Sequence, residues 1–128
     1  MEVVDYYLYT KEHEWVSVED NIATIGITDY AQEALGDITF VELPGVGDEV
    51  EQFEEFAAVE SVKAASDIFA PISGKVIEVN TRLESDPGLI NQSAYEKGWI
   101  AKVQISDKEE VSNLMTAEEY QKFLENAG

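Results

Sequence analysis

Phe56-Ala57-Ala58-Val59-Glu60-Ser61-Val62-Lys63-Ala64-Ala65-Ser66-Asp67-Ile68-Phe69-Ala70-Pro71-Ile72-Ser73-Gly74-Lys75-Val76 is the stretch on which the reading of this chain turns. Phe56 to Ser61 and Asp67 to Ala70 are apolar segments of strand length, and Pro71 breaks the second. If the two pair, Val62-Lys63-Ala64 lies at or near a hairpin tip. The turn itself is not announced, because no Asn-Gly or Asp-Gly occurs there. Local chemistry alone therefore leaves Lys63 as one of seven lysines. Ser73-Gly74 is a turn signal ahead of a further strand, Lys75 to Val79.

Strand signals continue on both sides. Upstream, Tyr6 to Tyr9 and Trp15 to Val18 flank a polar Lys11-Glu12-His13-Glu14 link, and Glu19-Asp20-Asn21 is a turn before a β-branched strand, Ile22 to Ile27. Asp29 followed by Gln32 predicts a reciprocal helix cap, with Gly36 at the far end of a short helix over Tyr30 to Leu35. Asp37 to Leu43 reads as a strand ended by Pro44-Gly45, and Val50 opens another extended stretch. Downstream, Asp86-Pro87-Gly88 is a turn. Trp99, Ala101, Val103 and Ile105 then alternate with Ile100, Lys102 and Gln104 at a two-residue period. Ser106 with Glu109 and Thr116 with Glu119 form two capping boxes, each predicting a short helix, the last ending near Asn126. Many short strands with frequent turns indicate a mainly β sandwich or barrel, with one internal helix and C-terminal helices. No linker-like stretch divides residues 1–128, so one domain is expected.

Composition removes several function classes. The 128 residues include no cysteine, which excludes disulfide scaffolds, Cys-ligated zinc and thiol nucleophiles. The single histidine, His13, has no carboxylate spacing around it that suggests a metal site and no nucleophile motif to serve, so no catalytic residue is expected. The net charge of −19, from 27 acidic and 8 basic residues, repels nucleic acids and anionic membranes; it favours partners with basic faces or, equally, serves solubility or adaptation to high salt. No apolar run is long enough to span a bilayer. Met1-Glu2-Val3-Val4-Asp5 has neither a basic region nor an apolar signal segment, so a cytoplasmic location is expected, with the mature form of a mitochondrial protein as the alternative.

Glu60-Ser61-Val62-Lys63-Ala64 followed by Ala70-Pro71-Ile72-Ser73-Gly74 resembles the lipoyl-attachment segment of the glycine cleavage H-protein family. The likeness extends in order along the chain. His13-Glu14-Trp15-Val16 resembles that family's early segment, and Gly26 to Gln32 with Leu35-Gly36-Asp37 its short-helix segment. Val41-Glu42-Leu43-Pro44, Val46-Gly47, Glu78-Val79-Asn80, Leu89-Ile90-Asn91 and Gly98-Trp99 follow. Each motif alone is weak, whereas the ordered set, covering about Tyr9 to Val103, is specific.

The resemblance implies a barrel-sandwich hybrid fold with the modified lysine on an exposed hairpin. It implies lipoate joined by an amide to Lys63 through a lipoate-protein ligase or lipoyl transferase; Glu60 is a candidate for recognition of the site by that enzyme, with a plain exposed hairpin charge as the alternative. It implies a shuttle: a pyridoxal-phosphate glycine decarboxylase loads the arm with aminomethyl, a tetrahydrofolate-dependent aminomethyltransferase unloads it, and dihydrolipoamide dehydrogenase reoxidises the dithiol. The carrier supplies proximity, not acid or base. An aminomethyl thioether loses ammonia in water, so a covering pocket is expected, with carboxylates toward its ammonium. Glu12, His13, Glu14 and Asp67 are the candidates, because the family places its early segment near the arm. The family also leads to the expectation of a monomer with transient partners.

Rival readings are weaker. A biotin carrier typically flanks its lysine with methionines, whereas Val62 and Ala64 stand here. A lipoyl domain of a 2-oxoacid dehydrogenase belongs to a longer chain with linkers. A relay protein that donates lipoyl groups to other enzymes fits the same sequence and stays open as the alternative function.

Overall fold

The computed structural model describes residues 2–127. Among these described residues, nine strands form two antiparallel sheets. The larger one is built from β1 (Leu8–Tyr9), β2 (Glu14–Glu19), β3 (Ile22–Ile27), β9 (Ala101–Ile105), β8 (Gly74–Val79) and β5 (Glu49–Val50), paired in that order. The smaller one has β6 (Glu55–Ser61) at its centre, between β4 (Ile38–Glu42) and β7 (Ala65–Phe69). The architecture is mainly β, as the strand signals predict, and it is sandwich-like, without closure into a barrel.

Alternation along the strands decides which side chains meet. Ile38, Val41, Val59 and Ile68 of the small sheet turn inward and join Ile27 and Ala101 of the large one, with Leu83 and Ile90 closing the end. A second cluster, around Val16, Ile25, Ile72, Val76 and Val103, fills the space beneath β8 and β9. Tyr9, Trp15, Tyr95 and Tyr120 build a third, aromatic cluster that fastens the C-terminal helix. Gly26 is required by this last cluster. It pairs across the ladder with Trp15, and a Cβ on it would stand 2.6 Å from the indole.

Several boundaries differ from expectation. The internal helix α1 spans Asp29–Leu35, and its cap is Thr28, whose hydroxyl accepts from the Ala31 N–H; Asp29 instead accepts from the Gln32 amide. Near the C-terminus, Asp107 and not Ser106 caps a 3-10 helix over Lys108–Asn113. The second capping box forms as read: Thr116 N–H donates to Glu119, and Glu119 N–H to the Thr116 hydroxyl, ahead of α4 (Ala117–Ala127). Two four-residue helices, α2 (Arg82–Ser85) and α3 (Leu89–Gln92), flank the Asp86-Pro87-Gly88 turn, the only element expected there. Tyr6 and Tyr7 precede β1 and do not belong to it.

Candidate functional site

The β6–β7 hairpin puts Lys63 at its tip. Glu60 pairs with Ala65, and the ladder closes where Ser61 N–H donates to the Ala64 carbonyl. The turn is organised by a side chain. The Ser61 hydroxyl accepts from both Lys63 N–H and Ala64 N–H, a serine-turn geometry that needs no glycine. None of residues 61–64 has positive φ, which is why no Asn-Gly signal exists to be read. Val62 and Lys63 are both exposed, and no ion pair involves Lys63 among the described residues.

The tip leans on the corner between α1 and β4. Val62 N–H donates to the Asp37 carbonyl. Gly36, with φ of 80°, ends α1 by donating its N–H to Gln32, and the Lys63 stem passes alongside it. Asn91 of α3 holds the same corner from behind. Its amide donates to the Gly36 carbonyl and the Gln32 side chain, and its oxygen accepts from Ile38 N–H. Thus three separate segments, α1, α3 and the start of β4, set the ground under the lysine.

Glu14 sits at the other end of β7. It is only 2 % exposed and is held by the Thr10 hydroxyl and by the Phe69 backbone N–H. It therefore ties β2 of the large sheet to the edge strand of the small one. Burial raises its pKa to about 7; the bonds from Thr10 and Phe69 oppose the rise, and the nearby Glu12 charge adds to it. Glu12 is exposed, with its N–H on the Thr10 hydroxyl, and it lines a cavity of about 360 Å³ with Phe53, Phe69 and Met115. Asp67 is exposed on β7, two residues from Phe69, and so on the same face of that strand as Phe69. Thr10 thus brings Glu12 and Glu14 together, whereas Asp67 lies on the outer face of the small sheet, in register with Ala58.

His13 points elsewhere. Its ring stacks on Tyr30 at 4.5 Å, and Nδ1 lies 2.7 Å from the Tyr120 hydroxyl. That hydroxyl also meets Thr28 Oγ1 at 2.8 Å, so α4, the β1–β2 link and the cap of α1 share one polar node. Burial lowers the His13 pKa, with Glu12 opposing. Glu60 is exposed on β6, opposite Phe40 of β4. Thr10 and Tyr120 are absent from the sequence expectations, and Ser61 and Asn91 stand there only as motif residues with no role. Only Ser61 left a local signal, as a hydroxyl two residues before the lysine.

Comparison with known proteins matches this arrangement. Residues 7–127 fit the family described as Glycine cleavage H-protein. The chain belongs to the glycine cleavage H-protein family. Its curated relatives include the glycine cleavage system H protein of Carboxydothermus hydrogenoformans, 55 % identical over 94 % of this chain and 92 % of the relative. That of Staphylococcus epidermidis is 51 % identical over 97 % of this chain and 98 % of the relative. Among solved structures, a glycine cleavage system H protein from Mycobacterium marinum superposes with a TM-score of 0.87 at 40 % identity, covering 94 % of this chain and 97 % of that one. The similarity to the family thus runs through both sheets and the hairpin that carries Lys63.

Proposed function

We propose that the chain is a lipoyl-lysine carrier of the glycine cleavage system, with residues 1–128 as one carrier domain and Lys63 as the attachment residue. The reading rests on family membership together with the exposed position of Lys63 at the β6–β7 tip. Such a tip suits a group that several enzymes must reach in turn. Amide formation at Nζ removes a charge that serves no ion pair among the described residues, so modification costs the fold little. When bound, the lipoyl group supplies a dithiolane that takes up the aminomethyl carbon of glycine and hands it on.

The chain's own residues supply position and cover. An extended lipoyl-lysine arm measures about 14 Å from Cα, taking single bonds near 1.5 Å. Asp67 lies four residues along the chain from Lys63, at most about 13 Å away at 3.3 Å per residue, since Lys63 and Ala64 are turn residues ahead of β7. The arm's end therefore reaches the level of Asp67, next to where Glu14 holds Phe69. The exposed Asp67 carboxylate attracts a primary amine brought by the arm, and Glu14, when ionised, adds to that attraction from behind Phe69. Glu12 stands at the rim, and His13 acts through its bond to Tyr120. Glu60 serves recognition by the attaching ligase or transferase.

The proposed partners are the pyridoxal-phosphate glycine decarboxylase, the aminomethyltransferase and dihydrolipoamide dehydrogenase, met transiently by a monomer in the cytoplasm. Among the described residues no helix is long and apolar enough to cross a membrane. Co-expression with a lipoate-attaching enzyme, followed by intact mass and a peptide map, tests the proposal. One lipoyl group on Lys63, lost in Lys63→Arg, is the expected result; an unmodified lysine or a biotin overturns it. Glycine-dependent loading by the decarboxylase then separates glycine cleavage from lipoyl relay.

A further inference from the structure

The outer face of the small sheet carries an apolar side chain that the core does not use. Phe40 of β4 is 52 % exposed, opposite Glu60 across the ladder. Glu60 pairs in turn with Ala65 of β7, so Phe40, Glu60 and Ala65 form one row directly behind the hairpin tip. The next row on this face, Glu42, Ala58 and Asp67, adds two more carboxylates.

Phe40 is not an isolated exposed ring. It opens onto a groove of about 460 Å³ between β4 and α2, floored by Leu43, Pro44 and Val79 and edged by Glu42 and Glu84. Val62, at the tip itself, is 68 % exposed. Apolar surface of this kind, rimmed by charge, is the composition of a docking site.

Charge and distance together name the occupant. Lys63 is the only lysine or arginine between Lys11 and Lys75, and the three strands of the small sheet contain none. Acylation of Lys63 leaves this hairpin and its sheet without a basic side chain. Phe40 lies within about 15 Å of Lys63, counting one cross-strand step to Glu60 and three residues along the chain from there. A standard interface covers about 800 Å² on each partner, a disc of about 16 Å radius. A protein centred on Lys63 therefore covers Phe40.

We infer that Phe40 and its groove form the docking anchor for the enzyme that acylates Lys63, which presents an apolar pocket or side chain rimmed by arginine and lysine. Phe40 gives affinity through buried area, and Glu42, Glu60 and Glu84 give approach and orientation. The role is one of positioning; no chemistry passes through Phe40. The inference rests on the lipoyl-carrier reading.

The test measures initial rates of lipoylation with lipoate, ATP and a lipoate-protein ligase, over a range of acceptor concentrations. Phe40→Ser should raise KM about tenfold, with kcat and thermal midpoint near the parent values. Phe40→Leu, which keeps an apolar anchor, should recover most of that loss. For the parent, KM should rise between about 50 and about 300 mM salt, and less steeply in a Glu42→Gln, Glu84→Gln variant. An unchanged KM in Phe40→Ser overturns the anchor, and equal salt slopes overturn the basic rim. Failure of the parent chain to be lipoylated at Lys63 overturns the carrier reading and the anchor with it.

Discussion

Gly36 and Lys63 face each other across the space of a missing side chain: a Cβ on Gly36 would stand 3.4 Å from Lys63 Cε. The backbone at Gly36, φ 80° and ψ −159°, is a region open essentially to glycine. One residue therefore ends α1 and clears a path for the lysine stem. Gly36→Ala should destabilise the fold by about 1–3 kcal/mol through backbone strain. Urea unfolding reads this directly, and a midpoint equal to the parent's would refute it. The added methyl meets the stem only at ordinary van der Waals distance, so lipoylation of Lys63 should proceed near the parent rate under conditions where the variant is fully folded.

Glu14 gives the fold a pH dependence with a definite sign. Its folded pKa, about 7, exceeds the ordinary carboxylate value of 4.5. The folded state thus holds a proton that the unfolded state gives up between those values. That contribution is complete below about pH 4.5 and is lost as pH rises through 7, on the order of 3 kcal/mol at about 1.4 kcal/mol for each pH unit. Glu14→Gln keeps an acceptor for Phe69 N–H and removes the titration. Between pH 5 and pH 8 the parent should lose stability relative to this variant. His13, whose pKa is lowered, works in the opposite sense below its ordinary value and cancels in the difference. Parallel stability curves for the two proteins would contradict the assignment.

What was legible in the sequence was local or strongly periodic. Thr116 and Glu119 form their capping box because both halves lie within four residues. Trp99 to Ile105 alternates because one face of β9 is core. Thr28 and Asp29 are adjacent residues that both suit a cap, and Tyr120, far away in the chain, touches the one that is used. Helices α2 and α3 have four residues each and no side-chain cap bond; packing of Leu83, Leu89 and Ile90 into the core sustains them, which no local pattern encodes. The flanking strands bracket the hairpin tip, but its turn carries no Asn-Gly or Asp-Gly signal, since the Ser61 hydroxyl organises it instead of a glycine. Lys63 stood out only through resemblance to a family, because nothing about a lone exposed lysine marks it chemically.

Tyr120 ties the C-terminal helix to the cap of α1. Its hydroxyl contacts His13 Nδ1 and Thr28 Oγ1, and its ring stacks on Tyr9 at 4.5 Å. Tyr120→Phe keeps the stack and removes both polar contacts. The expected cost is about 1–3 kcal/mol, since the buried Thr28 hydroxyl and the part-buried His13 ring each lose a partner. Amide exchange at Ala31, whose N–H is bound by Thr28, should accelerate more than exchange at the centre of β9. Uniform acceleration at both positions would mean that the node stabilises the whole fold without favouring α1.

Asn91 offers the sharpest test of how the ground under Lys63 is built. Its oxygen accepts from Ile38 N–H at 2.9 Å, and its nitrogen donates to the Gly36 carbonyl and Gln32 Oε1, both at 2.9 Å. Asn91→Ala leaves one donor and two acceptors without this partner, an expected loss of about 2–3 kcal/mol. Asn91→Asp separates the two halves of the side chain. A carboxylate still accepts from Ile38 N–H, but it faces two oxygens that had received donors. At neutral pH this variant should be at least as unstable as Asn91→Ala. On acidification the carboxyl gains a proton and can donate again, so Asn91→Asp should recover part of its deficit relative to the parent between pH 7 and pH 4. Urea midpoints at both pH values measure this. A deficit that stays constant would mean that the Gly36 and Gln32 oxygens turn to other donors, and that α3 does not fix the α1 corner through Asn91.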